Sequence, residues 1–357
     1  LKSTRLSAKF DIIPLFNGKI TISSVQLFGF NINLNKPAPH MEPNFKFVLD
    51  AFASKDTVKT KKDIDLRINS ILIRRGKLSY DVLSEEETPG KFNPQHIKLH
   101  NIIANISLKA LQNDSINAAI KRLSVDEQSG FELQKLSLKV IANNKGMKIE
   151  NFAIEMPGTE MKMDTIRMEY DSLKALNHFA DNVRFSFRTL PSHVTLNDIS
   201  AFVPALSNFK EKLDLNIDVE GTLNQLNCRT LEINAGDKFR LKGDVSLQDL
   251  SRPQDAYVYG HLANLSTNKE GIGFLVRNLS PHYNGVPPVL QHLGNTSFHG
   301  EISGYFTDLV MYGLFRTDIG SVQTDLKLSS DKAKALFSYS GGVKTTDFEQ
   351  AIGQDYL

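Results

Sequence analysis

Residues 20–27 read ITISSVQL, two runs of alternating apolar and polar residues that fall one position out of step. Successive side chains of a strand point to opposite faces, so Ile20 and Ile22 would face one way and Val25 and Leu27 the other. The same apolar-x-apolar-x-x-apolar-x-apolar slip recurs in LRINSILI from Leu66, IKLHNIIA from Ile97, FELQKLSL from Phe131 and MKIENFAI from Met147. A one-residue slip turns the apolar set to the other face unless a β-bulge restores it, and a bulge bends and twists its strand. The motif therefore predicts bent strands. Its copies start at 20, 66, 97, 131 and 147, a spacing too irregular for a strict solenoid and suited to a curved sheet with variable loops.

Plain alternation continues through KLSYDV from Lys77, VRFSFRTL from Val183, KLDLNIDVEG from Lys212, AYVYGHL from Ala256 and GSVQTDLKL from Gly320. Turn-forming clusters such as Asn143–Gly146 and Asp318–Gly320 separate them, as in an antiparallel meander. Helical spacing is confined to short stretches. Phe45, Val48, Leu49 and Phe52 follow Asn44, a candidate N-cap, and predict a helix near 44–53. Ile199, Phe202, Val203 and Leu206 predict another near 197–208, which Pro204 should kink or end. Further short helices are expected within 273–292 and near 347–352. Each apolar stripe could cap an end or an open side of the sheet.

Charge and composition narrow the function classes. Forty-two basic against forty acidic residues give a net charge of +2, scattered apart from short clusters such as Lys59–Lys62. Backbone binding of nucleic acid needs a concentrated basic face, so nucleic acid is not an expected partner. The single cysteine, Cys228, permits neither an internal disulfide nor a cysteine-based zinc site. No run of about 18 apolar residues occurs, so no helix should span a bilayer. Because the chain opens without Met, on LKSTRLSAKF, it is expected to be a piece of something longer.

Catalytic signatures are weak. Gly271-Ile272-Gly273 lacks the third glycine of a dinucleotide fingerprint, and no phosphate-cradling loop or His-Glu-x-x-His motif occurs. In Gly300-Glu301-Ile302-Ser303-Gly304 the serine stands one place too late for a nucleophile elbow. His96 and His100 read as two surface or loop histidines. Asp63/Asp65 and Asp214/Asp218 read as solvated carboxylates on polar strand faces. No catalytic residue, metal or cofactor is assigned, and an enzyme is not expected.

Two regions carry a family resemblance. GKITISSVQLFGFNINLNK, NFKFVLDAF and DLRINSILIRRGKLSYDV resemble the start of AsmA-like proteins, with a strand pair, a short helix and a second strand pair with an Arg-x-Gly-like turn. From about residue 194, TLNDISAFVPALSNF, DLNIDVEGTLNQLNCRTLEINAGDKFRLKGDVSLQDL, FHGEISGYFTDLVMYGLFRTDIGSVQTDLKL and YSGGVKTTDFEQAIG resemble the TamB-type branch of that superfamily, the inner-membrane component of the translocation and assembly module. The likeness covers about residues 10–353 and rests on hydrophobic rhythm and glycine placement. It implies a periplasmic protein held to the inner membrane by a segment outside this chain. It also implies an open β-groove, or β-taco, and a role in phospholipid transport and outer-membrane biogenesis. This chain lacks the family's N-terminal anchor and membrane-facing C-terminal domain, which weakens the expectation of an outer-membrane partner.

Together these readings give a mainly β chain: an elongated, curved, open antiparallel sheet with a few short capping helices. One groove segment is expected over 1–190 and a continuing one over 191–357. A curved sheet that does not close presents an apolar concave face, to be covered by helices, another chain or an apolar ligand. The expected function is non-enzymatic handling of phospholipid or another acyl-chain lipid. The alternative is a scaffold or chaperone pairing its sheet edges with outer-membrane strands. Candidate groove residues, taken from the slip motifs, are Ile68, Ile71, Ile73, Leu99, Ile102, Leu136, Leu138 and Phe152. Either half of a slip could face inward, so about half are expected to line the groove.

Overall fold

The computed structural model describes residues 2–15, 19–47, 65–112, 115–252, 255–279, 292–305, 308–331 and 336–346. Among the described residues the chain is mainly β, 64% strand, in mixed but mostly antiparallel sheet. It divides into two units, residues 1–165 with 196–210, and 166–195 with 211–357.

In the first unit, β1 (Arg5–Asp11) leads through a single helical turn, α1 (Ile12–Leu15), to β2 (Lys19–Phe28) and β3 (Asn31–Lys36). Then come β4 (Asp65–Val82), β5 (His96–Gln112), β6 (Ser115–Glu127), β7 (Glu132–Ala142), β8 (Gly146–Glu155) and the start of β9 (Glu160–Glu169). β4 through β8 form an antiparallel meander. Within this mostly antiparallel sheet, β2 and β3 both run parallel to β4, in one unbroken register. Phe28 pairs with Arg74, Asn31 pairs with Lys77, and Gly29 at φ +59° makes the step between them.

All five slips are β-bulges. On β2, Ser24 and Ile22 lie opposite the consecutive residues Lys9 and Phe10 of β1, leaving Ser23 as the extra residue. On β4, Ile68 and Ile71 face Leu108 and Ile106. On β5, His100 and Ile103 face Asp126 and Ser124, with Asn101 at φ +53°. On β7, Leu133 and Leu136 face Val125 and Leu123. On β8, Glu150 and Ala153 face Lys139 and Ser137, with Asn151 at φ +55°. In each case the extra residue absorbs the odd step, so both halves of the motif keep one face. The Arg-x-Gly segment is likewise not a turn between two strands: Arg74-Arg75-Gly76 lies inside the 18-residue β4, bulged at Arg75 with φ +55°. Gly76 is needed there, since a Cβ would lie 2.2 Å from the ring of Phe30, which is buried against it.

Of the predicted helices, only the one near 197–208 lies wholly among the described residues. Residues 44 and 45 form a turn, 46 and 47 are helical, and 48–53 lie outside the described residues. Asn44 is not an N-cap: its Oδ1 accepts from the Asn35 backbone N–H at 3.0 Å and its Nδ2 donates to the Asn33 carbonyl at 3.2 Å, tying the segment to β3. Over 197–208 the chain forms two 3-10 turns, Leu196–Ile199 and Pro204–Leu206, because Pro204 cannot donate the hydrogen bond that would continue a helix. This segment still acts as a cap on the first unit. Phe202 packs against Phe92 and Phe131 at centroid distances of 4.8 and 4.9 Å, and the Asp198 carboxylate accepts from the Gly158 N–H at 3.0 Å. Residues Lys59–Lys62 and the helix expected near 347–352 lie outside the described residues.

In the second unit, the end of β9 pairs with β10 (Arg184–Arg188), preceded by a short helix α2 (Phe179–Asn182). β10 and β11 (Ser192–Thr195) share one partner, β12 (Lys212–Thr222). β13 (Gln225–Asn234), β14 (Phe239–Gln248), β15 (Tyr257–Thr267), β16 (Thr296–Tyr305), β17 (Asp308–Thr317), β18 (Gly320–Asp331) and β19 (Leu336–Thr346) complete an antiparallel meander. An amphipathic helix, α3 (Lys269–Leu279), follows β15 and buries Ile272 and Phe274. The rest of the helical expectation within 273–292 falls almost wholly outside the described residues. This unit has a closed core: Val219, Cys228, Val245 and Val258 are buried, with Phe185, Phe187, Leu231 and Ile302 packed on them. Phe298, 1% exposed, fits because Gly300 and Gly313 beneath its ring carry no Cβ.

Candidate functional site

The register places all eight candidate residues on one face of the first unit's sheet. Residues opposite one another in a ladder share a face. Ile71 lies opposite Ile106, Ile73 opposite Ala104, Ile102 opposite Gly76, and Leu99 opposite Leu78. The same face continues through Ile106–Ile120 and Ala104–Leu123 to Ile120–Leu138 and Leu123–Leu136. Leu136 in turn faces Ile154, two residues beyond Phe152. On the other side of β4, Ile22, Val25 and Leu27 pair with Ile68, Ile71 and Ile73. β3 adds Ile32 and Leu34 opposite Leu78 and Tyr80, and β1 supplies Leu6, Ala8 and Phe10, so eight strands contribute to one apolar face.

This face differs in burial from the core of the second unit. Each of the eight candidates is half-buried, with only Ala104 and Leu133 along the same stretch of β5 and β7 reaching full burial. Toward β1 the face opens further, with Leu6 64% and Phe10 60% exposed. The opposite face is polar and cross-linked. Lys135 pairs with Glu155 at 2.6 Å, Lys139 with Glu150 at 2.7 Å and Lys98 with Glu87 at 2.8 Å. Hydrogen bonds from Lys139, then Lys148, pull the Glu150 carboxyl down to about 2. Ion pairs fix which side of the sheet meets water, and leave the apolar side as the one that gains by being covered.

One polar cluster is unlike its sequence reading. His96 is buried, not a surface histidine; its Nε2 donates to the Glu85 carbonyl at 2.9 Å and its Nδ1 meets the Asp81 carboxylate at 3.1 Å. His100 is exposed, 3.8 Å from Asp126. A carbonyl oxygen can only accept, so Nε2 carries a proton, and the Asp81 carboxylate draws a second onto Nδ1, raising the His96 pKa. Asp81, Glu87 and His96 present donor atoms within 4.8 Å of one another, the spacing of a metal site. Lys98 already occupies Glu87, however, and both ring nitrogens of His96 are engaged, so the arrangement is a closed ion-pair cluster holding the Leu83–Gln95 loop to the ends of β4 and β5.

The other chemistry-bearing residues singled out by the sequence sit in ordinary structural settings. Ser303 lies in regular register between Tyr259 and Val310 on β16, with no strained elbow. Asp218 is held by Arg188 at 2.6 Å, Asp65 opens β4, and Asp63 lies outside the described residues. Cys228 is buried and burial pushes its thiol pKa up, which suppresses the reactive thiolate. No helix among the described residues is long and apolar enough to cross a membrane. Comparison with protein-family models, curated proteins and solved structures finds no match to this chain.

Proposed function

We propose that the apolar face of the first unit holds acyl chains, and that the protein is a non-enzymatic lipid-handling segment. The observation that carries the reading is the contrast in burial: the slip-motif side chains share one face yet stay half-buried, while the second unit closes a core of its own. Burying an acyl methylene is worth roughly 0.8 kcal/mol, so a continuous apolar strip would let a chain move along the sheet without crossing bulk water. A headgroup would remain at the polar margin. The resemblance to TamB-type AsmA-like proteins extends this to phospholipid transport between inner and outer membranes, in the periplasm, with the inner-membrane anchor outside this chain. Nothing in the sequence supplies energy, so directionality would come from elsewhere.

A second reading rests on β1. Among the described residues β1 pairs along its length with β2, and Leu6 and Phe10 are exposed along it, as suits an edge that accepts a strand from an outer-membrane protein. The two readings part experimentally. Mass spectrometry of solvent extracts of the purified chain should recover phospholipid if acyl chains occupy the face. A lipid-free chain that crosslinks nascent outer-membrane strands through β1 would favour the scaffold.

A further inference from the structure

The polar side of the first unit contains a cavity of about 590 Å³ lined by Phe28, Arg74, Arg75, Ile103 and Arg122. Three of its five lining residues are arginines and none is acidic. The register explains how they meet. Phe28 pairs with Arg74 across β2 and β4, Ile73–Ala104 pairing sets Arg74 beside Ile103, and Arg122 faces Asn105 across β5 and β6. Consecutive residues of a regular strand point to opposite faces. The bulge at Arg75, φ +55°, lets Arg74 and Arg75 line the same cavity.

The charge here is unbalanced. Lys98, Lys135, Lys139 and Lys148 of the same unit each have a carboxylate within 2.8 Å. None of Arg74, Arg75 and Arg122 takes part in an ion pair among the described residues. Asp126, on the neighbouring stretch of β6, is engaged by Asn101 at 2.6 Å and by His100. Arg74, Arg75 and Arg122 are exposed side chains lining one open cleft, where a phosphate would meet guanidinium groups whose planar N–H fork matches its oxygens. Phe28 and Ile103 add an apolar floor that inorganic phosphate would leave uncovered.

We propose that this cavity binds a phosphate ester, its phosphoryl oxygens held by Arg74, Arg75 and Arg122 and its apolar alcohol portion resting on Phe28 and Ile103. The site lies on the face opposite the eight candidates for the acyl-chain face, so it stands whether or not that face carries lipid. The ester could reach it as a soluble molecule or as a headgroup at a bilayer surface, and the two sources are separable.

The test uses the full chain and calorimetric titration with phenyl phosphate, which has an apolar group but no acyl chain. Saturable binding is expected, tighter than that of inorganic phosphate and weakening with salt. Arg74→Gln with Arg122→Gln should lower affinity at least about tenfold, the scale of a lost charge-assisted hydrogen bond. Lys121→Gln, beside the cavity but not lining it, should leave affinity unchanged. Arg122→Lys, which keeps the charge and loses the fork, should fall between, and remains informative if the double variant folds poorly. Ile103→Ser should narrow the preference for phenyl phosphate over inorganic phosphate. Co-sedimentation with phosphatidylcholine vesicles containing phosphatidic acid separates the sources: loss in the double variant assigns a headgroup, and retention assigns a soluble ester. Absence of saturable phenyl phosphate binding, or equal binding by the folded double variant, would overturn the proposal.

Discussion

At the scale of single residues, the acyl-chain reading separates side chains that line a face from side chains that form a core. Ile71 is half-buried and lies between Val25 and Ile106; Ala104, on the same face, is 3% exposed. An arginine at Ile71 could run along the face and reach solvent with its guanidinium. We expect Ile71→Arg to lose bound lipid while shifting stability by less than about 1 kcal/mol, the scale of a surface change. Ala104→Arg would bury an unpaired charge and should cost more than about 3 kcal/mol, read as a fall in denaturation midpoint. His96 gives a prediction of another kind. Its hydrogen bond to Asp81 raises the folded-state pKa above that of the unfolded chain, so its contribution is full below the unfolded value and is lost as pH rises through the folded one. Stability to denaturant should therefore decline above about pH 6.5, the ordinary histidine value, and His96→Gln should flatten that decline. A rise in stability over the same window, present in the wild type and absent in the variant, would mean the histidine is held neutral.

At the scale of elements, the slip is the device that lets long strands bend without turning their apolar side chains to water. Asn101 and Asn151 occupy the bulges of β5 and β8 at positive φ, where asparagine is tolerated and a β-branched residue is not. Asn151→Val should cost about 1–2 kcal/mol and Asn151→Gly close to nothing, measured as shifts in thermal midpoint. Equal losses from both would show that the side chain, not the backbone geometry, matters there. The sequence revealed these bulges wherever both flanks were strongly apolar. It hid others where a small residue or a cysteine fills an apolar slot. AAIKRLSV from Ala118 carries a bulge on β6, and LNCRTLEI from Leu226 carries one on β13 at Arg229. Partner choice was not legible either. Alternation says which residues share a face and nothing about which strand lies alongside, so the parallel pairing of β2 and β3 with β4 emerges only from the fold. The stripe at Ile199, Phe202, Val203 and Leu206 was a sound signal of a cap, but Pro204 turned the expected helix into two 3-10 turns.

At the scale of the whole molecule, the eight candidates prove to be coplanar because every slip is compensated, a fact the sequence left open between two faces. The arginine cavity was missed for a related reason. Arg122 lies nearly fifty positions from the Arg74-Arg75 pair, and net charge does not link them; only the pairing of β4 with β5 and β5 with β6 brings them to one cleft. The central claim, that the half-buried face holds acyl chains, is tested most directly by quantitative mass spectrometry of lipid co-purifying with the intact chain and with two variants. Leu138→Arg places a charge on the apolar face, and Ser137→Arg places one on the opposite face of the same strand. The account predicts phospholipid with the wild type and with Ser137→Arg, and a loss of about tenfold or more with folded Leu138→Arg. A wild-type chain free of lipid after gentle purification, or equal lipid in all three, would contradict it.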